Sequence, residues 1–340
     1  MPTIKDVANI AGVSVATVSR YFSSPEKVSQ KNTQKVMNAV EQLNYKPNLL
    51  ARNFTQSRSY SILVLAPLSN PFLMDVIKGI QEVARVKGYT VLLVDKLEVP
   101  SDDDKYYSML DTRLVEGIID FKAQKRDKKK QGQRLENIVT LCDYVEDSAA
   151  PVIAVDDVAS SEKIVSYLTS LGHRRIACLS GLDFIQATSY RKQGYQQALE
   201  KAGISYSDKL VLKGDFSFTS GQNAAKELIA MQPRPTAIFC MSDKMAIGVI
   251  QGLKVQGLNV PSDISVVGFD DIEFAQYSDP PLTTVRQPAK ELGSSAMHKL
   301  CDLIDNKYDP DTALRPYFLP TDLIVRGSTA PLLVKADKDL

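Results

Sequence analysis

The chain opens with short runs whose apolar positions recur at helical rather than strand spacing. Val7, Ala8, Ile10 and Ala11 offer an apolar face for a first helix, and Gly12 can take the positive φ that ends it. Ser14 then stands where an N-cap belongs, its hydroxyl able to accept from the Thr17 N–H. A second helix from Val15 to Phe22 turns Val18 and Phe22 inward. It leaves Val15, Ala16, Thr17, Ser19 and Arg20 on the outer faces. That surface is small, hydroxyl-rich and carries one Arg, which suits a major groove better than a core. The same spacing also fits an ordinary αα-hairpin. Ser29 can cap a third helix with Val36, Val40 and Leu43 facing inward, closed by Tyr45 and Pro47. Three such helices make a bundle the size of a DNA-reading module.

The next stretch, PNLLARNFTQSRSY (47–60), is too polar after Phe54 for core and too apolar before it for an inert linker. Asn48 can cap one or two helical turns there, which are marginal alone. From Ser61 the texture changes. SILVLAP, YTVLLVD, VEGIID, PVIAVD, RRIACLS, TAIFCMS and ISVVGFD are compact apolar runs, and amphipathic stretches such as PFLMDVIKGIQEVARVKG and YRKQGYQQALEKAG lie between them. Apolar strands alternating with helices predict α/β architecture, with parallel sheets covered on both faces. The number of strands is too large for one comfortable sheet, so two lobes are expected, with ligand in the cleft at the strands' carboxyl ends. The expected organisation is a head (1–46), a hinge helix and linker (47–60), a two-lobed body (61–330) and a tail (331–340).

Charge sharpens this division. Residues 1–60 carry eight Lys or Arg against three Asp or Glu, a net +5, while the whole chain is only +1. The remainder is therefore −4, and a basic head on an acidic body is a nucleic-acid footprint. A second basic run, FKAQKRDKKKQGQR (121–134), lacks aromatic interleaving and reads as a solvated loop. No leader-like apolar segment and no run of 18 apolar residues is present, so a cytoplasmic protein without membrane spans is expected. Cys142, Cys178, Cys240 and Cys301 are widely spaced and the chain has only two His, which leaves little for a metal site.

The motifs then converge. IKDVANIAGVSVATVSR, VSQKNTQKVMNAVEQLNYKPN and LAR, with NPF, LGHRRIA, YRKQGY, SDKMAIGV, VPSDISVVGFDD and PPLTTVRQP, resemble the LacI/GalR family of transcription regulators from about Thr3 to Thr329. Within it, SPEKVSQ, GDFSFTSG, QYSDPPLTT and VRGST are most similar to the cytidine-repressor type. The resemblance implies a three-helix helix-turn-helix head and a doubly wound, two-lobed body of the periplasmic-binding-protein type. It assigns base reading to Val15, Ala16 and Arg20, and phosphate contacts to Thr3, Ser14, Thr17, Ser19, Ser29, Thr33 and Asn48. Arg20 can pair with a guanine edge, while Val15 and Ala16 suit thymine methyls. Ala51 and Phe54 fall on a minor-groove hinge where relatives carry Leu at the second position; Phe is still an apolar wedge.

The same resemblance places effector contacts at Phe72, Asp156, Arg191, Phe216, Ser242 and Asp270. Arg191 with Asp270 suits a ribose or polyol, and Phe72 with Phe216 supplies flat faces. Leu73 stands where relatives often have a second aromatic, which weakens a heterocycle reading; a nucleoside is the first expectation, a sugar the second and a site without an effector the third. Operator DNA, a small effector and a second copy of the chain are the expected partners, with no cofactor. A small-molecule binding protein would not carry this head. An α/β enzyme would need a nucleophile–base pair, and none accompanies GFDD or VDD; His173 and His298 read as structural and surface residues.

Overall fold

The computed structural model describes residues 2–46, 58–96, 104–122, 137–145, 148–307 and 315–332. Asn48, Ala51 and Phe54, most of the basic run and residues 333–340 lie outside them. The chain separates into two compact units, Met1–Tyr60 and Ser61–Leu340.

The first unit holds α1 (Ile4–Ala11), α2 (Val15–Ser23) and α3 (Gln30–Leu43). Thr3 and Asp6 form a capping box at the start of α1. Gly12 ends that helix at φ 61°, a left-handed conformation that costs other residues strain. Ser14 Oγ then accepts from Thr17 N at 3.1 Å and opens α2. Val7, Ala8, Ala11, Val18, Val36 and Ala39 form the buried core, with Phe22, Val40, Leu43 and Tyr45 packed around it. One sequence expectation fails here: Ile10 is 46% exposed. At about 100° per residue it lies roughly 100° from the centre of the Val7–Ala8–Ala11 stripe, off the core face.

The second unit has two parallel sheets. The first orders β2 (Thr90–Asp95), β1 (Ser61–Ala66), β3 (Gly117–Asp120), β4 (Ile138–Leu141), β5 (Val152–Val155) and β11 (Tyr317–Leu319). The second orders β7 (Val211–Lys213), β6 (Ile176–Ser180), β8 (Ala237–Cys240) and β9 (Ser265–Val267). Helices α4 (Pro71–Lys87), α5 (Asp104–Asp111) and α11 (Ala289–Ile304) belong with the first sheet, and α4 packs on α11. Helices α6 (Asp157–Ser170), α7 (Gln186–Lys201), α8 (Phe218–Ala230) and α9 (Asp243–Val255) belong with the second; α10 (Glu273–Tyr277) follows β9. The chain crosses between the lobes after β5, between β10 (Thr284–Arg286) and α11, and between β11 and β12 (Asp322–Ile324). Antiparallel pairing of β10 with β12 ties two of those crossings together.

Strands β3, β4, β5, β6, β8 and β9 are buried throughout, as continuous apolar runs require. β2 departs from that expectation. It is a sheet edge, and Leu92 and Leu93 remain exposed in the single chain.

Candidate functional site

On the head, α2 buries Val18 completely and leaves Val15, Ala16, Ser19 and Arg20 exposed. The buried side anchors the helix, while the open side is smooth enough to approach base edges and long enough at Arg20 to reach a guanine. Ser14 and Thr17 hydroxyls lie 2.9 Å apart at the helix start. Thr3 is exposed, with its hydroxyl engaged by Asp6 at 2.8 Å. Ser29 caps α3 through its backbone alone, because its side chain makes no capping bond, and Thr33 is half-buried in the first turn.

In the second unit, the carboxyl ends of strands from both sheets converge on Arg191. This side chain sits within α7 with 7% exposure, which excludes a surface cation. Its Nε donates to Asp157 Oδ1 at 2.7 Å and its Nη1 to the Met241 carbonyl at 2.5 Å. The guanidinium lies over the Phe269 ring at 3.7 Å, and Asp270 Oδ1 is 3.8 Å from Nη1. Asp270 accepts from Gln287 Nε2 at 2.7 Å and from Asn70 Nδ2 at 3.2 Å. Asn70 caps α4 in the other lobe, so this last bond joins the two lobes. Lys244 adds a second link, donating to the Ser69 carbonyl at 3.0 Å.

Burial dominates the electrostatics. It pushes Asp270 up to about 6 despite Arg191, Asn70 and Gln287, and raises Asp157 against the pull of Arg191. Asp243, buried and bonded by Thr284 and the Ile272 N–H, is held well above the ordinary carboxylate range by burial and then by Asp270. Burial and the charges of Asp157 and Asp270 also raise the Cys142 thiol, which follows β4. Asp270 and Asp271 adopt φ 117° and 59°, backbone strain at the turn leaving β9.

A second cluster lies at the start of α7. The Phe216 ring fills the space beside Gly181, where a Cβ would stand 2.0 Å from Cζ. Thr188 Oγ1 faces the same gap, is buried and has no hydrogen-bond partner. An unpaired buried hydroxyl costs stability unless something completes it. Tyr144 and Tyr190, both half-buried, stack with centroids 4.3 Å apart, and Phe318 meets Tyr144 edge-on.

The expected contacts divide accordingly. Arg191 and Asp270 come together, and Phe216 lines the neighbouring cluster. Asp156 is exposed and caps α6, accepting from Ala159 N at 2.9 Å; its neighbour Asp157 turns to Arg191 instead. Ser242 is fully buried and caps α9 through Met245 N, while Phe72 packs into the core. Asn70, Cys142, Asp157, Thr188, Phe269 and Gln287 are additions that sequence reading does not single out. Asn70, Asp157, Phe269 and Gln287 lie within the NPF, VDD, VPSDISVVGFDD and PPLTTVRQP motifs, while Cys142 and Thr188 carry no motif signal. Elsewhere, His173 is buried against Thr236, Ser265 and the Ala330 carbonyl, and His298 is exposed. Among the described residues no three His, Cys, Asp or Glu side chains are grouped to hold a metal ion, and no helix is long and apolar enough to cross a membrane.

Known proteins match both parts. The model for bacterial regulatory proteins of the lacI family matches residues 3–48, and a periplasmic binding protein-like domain matches residues 165–329. The HTH-type transcriptional repressor CytR of Escherichia coli strain K12 is 36% identical over 333 residues, covering 97% of each chain. The HTH-type transcriptional regulator DegA of Bacillus subtilis strain 168 is 35% identical over 338 residues, covering 97% of this chain and 98% of that relative. The lac repressor dimer bound to operator and the anti-inducer ONPF superposes with a TM-score of 0.85 at 28% identity, covering 97% of this chain and 99% of that one. This chain belongs to the LacI family of bacterial regulatory proteins.

Proposed function

We propose that the chain is a cytoplasmic transcriptional repressor that binds a pseudo-palindromic operator as a homodimer and responds to a small effector held between the lobes, with no catalytic step. The exposed face of α2 carries this reading: Val15, Ala16 and Arg20 stand out from a helix whose Val18 is wholly buried. Two such heads would sit on half-sites about one helical turn apart. Thr3, Ser14, Thr17, Ser19, Ser29, Thr33 and Asn48 would hold phosphates, while Ala51 and Phe54 would enter the minor groove.

The effector is a nucleoside in this reading. Phe216 supplies a face for a ring, Thr188 a partner for a carbonyl oxygen, and Asp270 acceptors for ribose hydroxyls. A sugar is the second reading, favoured by the same acceptors at Asp270 and Asp157. Its binding would shift DNA affinity only as far as it distinguishes two lobe arrangements.

Two measurements test this. Operator affinity should fall about a thousandfold or more between roughly 50 and 200 mM salt if several phosphates are neutralised. Affinity indifferent to salt would sink the DNA reading. Thermal unfolding with a panel of nucleosides and sugars tests the effector, because a ligand at about 100 times its Kd adds roughly 2.7 kcal/mol.

A further inference from the structure

We infer that Asn70 is a positioning residue: its bond to Asp270 ties the arrangement of the two lobes to the group that receives the effector. This rests on the effector reading above and names the contact through which occupancy of that site reaches the lobes.

Asn70 uses both ends of one amide. Its Oδ1 accepts from the Phe72 N–H at 3.1 Å and caps α4, while its Nδ2 donates to Asp270 Oδ2 at 3.2 Å. The first bond aims the second. With the oxygen held at the helix start, the amine is turned toward the other lobe, and Pro71 stiffens the turn behind it. Ser, Thr and Asp also cap helices well, but among these residues only Asn keeps N–H donors on the capping side chain. The tie, and not the cap, sets Asn apart at this position.

Asp270 answers with both oxygens. Oδ2 takes Asn70 from the first lobe, while Oδ1 takes Gln287 Nε2 at 2.7 Å and lies 3.8 Å from Arg191 Nη1. Its backbone is fastened to the crossing beside β10. Asp270 N donates to the Val285 carbonyl at 2.9 Å, and Gln287 N donates to the Asp270 carbonyl at 3.4 Å. A ligand hydroxyl that donates to Asp270 therefore acts on a carboxylate already shared by α4 and the crossing. Any shift of that carboxylate is felt at both. Lys244 holds the neighbouring Ser69 carbonyl at 3.0 Å, but that bond is exposed to solvent, whereas the bond from Asn70 is partly buried and so the stronger tie.

Hydrogen exchange on the full chain, with no small molecule added, tests the tie. Asn70→Ser keeps a capping oxygen and removes the donor. Exchange should quicken by about threefold or more in α4 and also in the peptides around Tyr144 and Tyr190, whose stacked rings meet from the two lobes. Quickening confined to the first turn of α4 would be lost capping and overturns the inference. Asn70→Asp also caps, but it sets a carboxylate against that of Asp270. It should match Asn70→Ser at about pH 8 and return toward the wild type at about pH 5, where a shared proton rebuilds the bond. Arg191 from α7, Asp157 from α6 and Asp243 from α9 also face Asp270, so the wild type is the reference at each pH. No recovery overturns Asp270 as the partner. Operator affinity is then measured on a duplex selected from random sequence by the wild-type chain, with and without each nucleoside and sugar of the thermal panel. A compound that shifts the wild type about tenfold should shift Asn70→Ser by no more than about threefold. Equal shifts overturn the coupling. A panel silent in thermal unfolding removes the effector reading, while the exchange result still decides the tie.

Discussion

Arg20 and Arg191 are the same side chain put to opposite uses. Arg20 stands exposed at the end of a helix face with nothing beneath it to displace, so its guanidinium is available to a base edge. Arg20→Ala should cost roughly 1–3 kcal/mol of operator binding and relax preference at one base pair; equal weakening on every sequence would make it a phosphate contact. Arg191 is already answered, and deleting it would strand Asp157 and Asp270. Arg191→Met should therefore destabilise the fold by about 3–5 kcal/mol in chemical denaturation, and Asp157→Asn by less, because Asp270 and the Met241 carbonyl remain. Equal losses would argue against a shared counter-ion role. Asp270 also sets a pH response. Its folded pKa of about 6 exceeds the ordinary 3.8, so the folded state binds the proton more tightly. That contribution is full below about pH 4 and is lost as pH rises through about 6. Asp270→Asn should make stability fall less steeply across that window; a steeper fall would contradict the assignment. Arg191 and Asp270 are legible as a pair from their motifs. Asp157 is not, since VDD does not reveal which carboxylate turns inward until the boundary between β5 and α6 is known.

At the level of elements, the head is read from the sequence almost helix by helix, because its signals are local. Gly12 ends α1 and Ser14 starts α2 through bonds spanning three or four residues, and such chemistry needs no tertiary context. Ser14→Ala should cost about 0.5–2 kcal/mol and loosen the α2 amides, measurable by hydrogen exchange; unchanged protection would mean that packing alone holds the helix. Ile10 shows the limit, since an apolar residue in a helical run need not lie on its buried stripe. The body is legible where strands are long. β7, β10, β11 and β12 are three-residue strands, too short for a period to declare itself, and their partners lie far away in sequence.

For the whole molecule, two lobes follow from the number of apolar runs, but their threefold crossing does not. β11 completes the first sheet beside β5 after the chain has built the second, a long-range pairing that no local pattern announces. The exposed edge at β2 belongs to this scale too. Leu92 and Leu93 are apolar where a solitary domain would place charge. In a homodimer they offer a surface for the second copy, so Leu93→Lys should shift the sedimentation profile toward monomer and weaken operator binding with it. A dimer unaffected by that charge would place the interface elsewhere.

The stacked pair of Tyr144 and Tyr190 has an optical consequence. Tyr144 follows a strand of one sheet and Tyr190 rides a helix of the other, so any parting of the lobes must unstack the rings. The chain contains 14 tyrosines and no tryptophan. Its ultraviolet emission is therefore unmasked by indole, and Tyr144→Phe subtracts one chromophore from the pair. The unlabelled protein thus carries its own shutter signal, readable in a stopped-flow cuvette as effector is added.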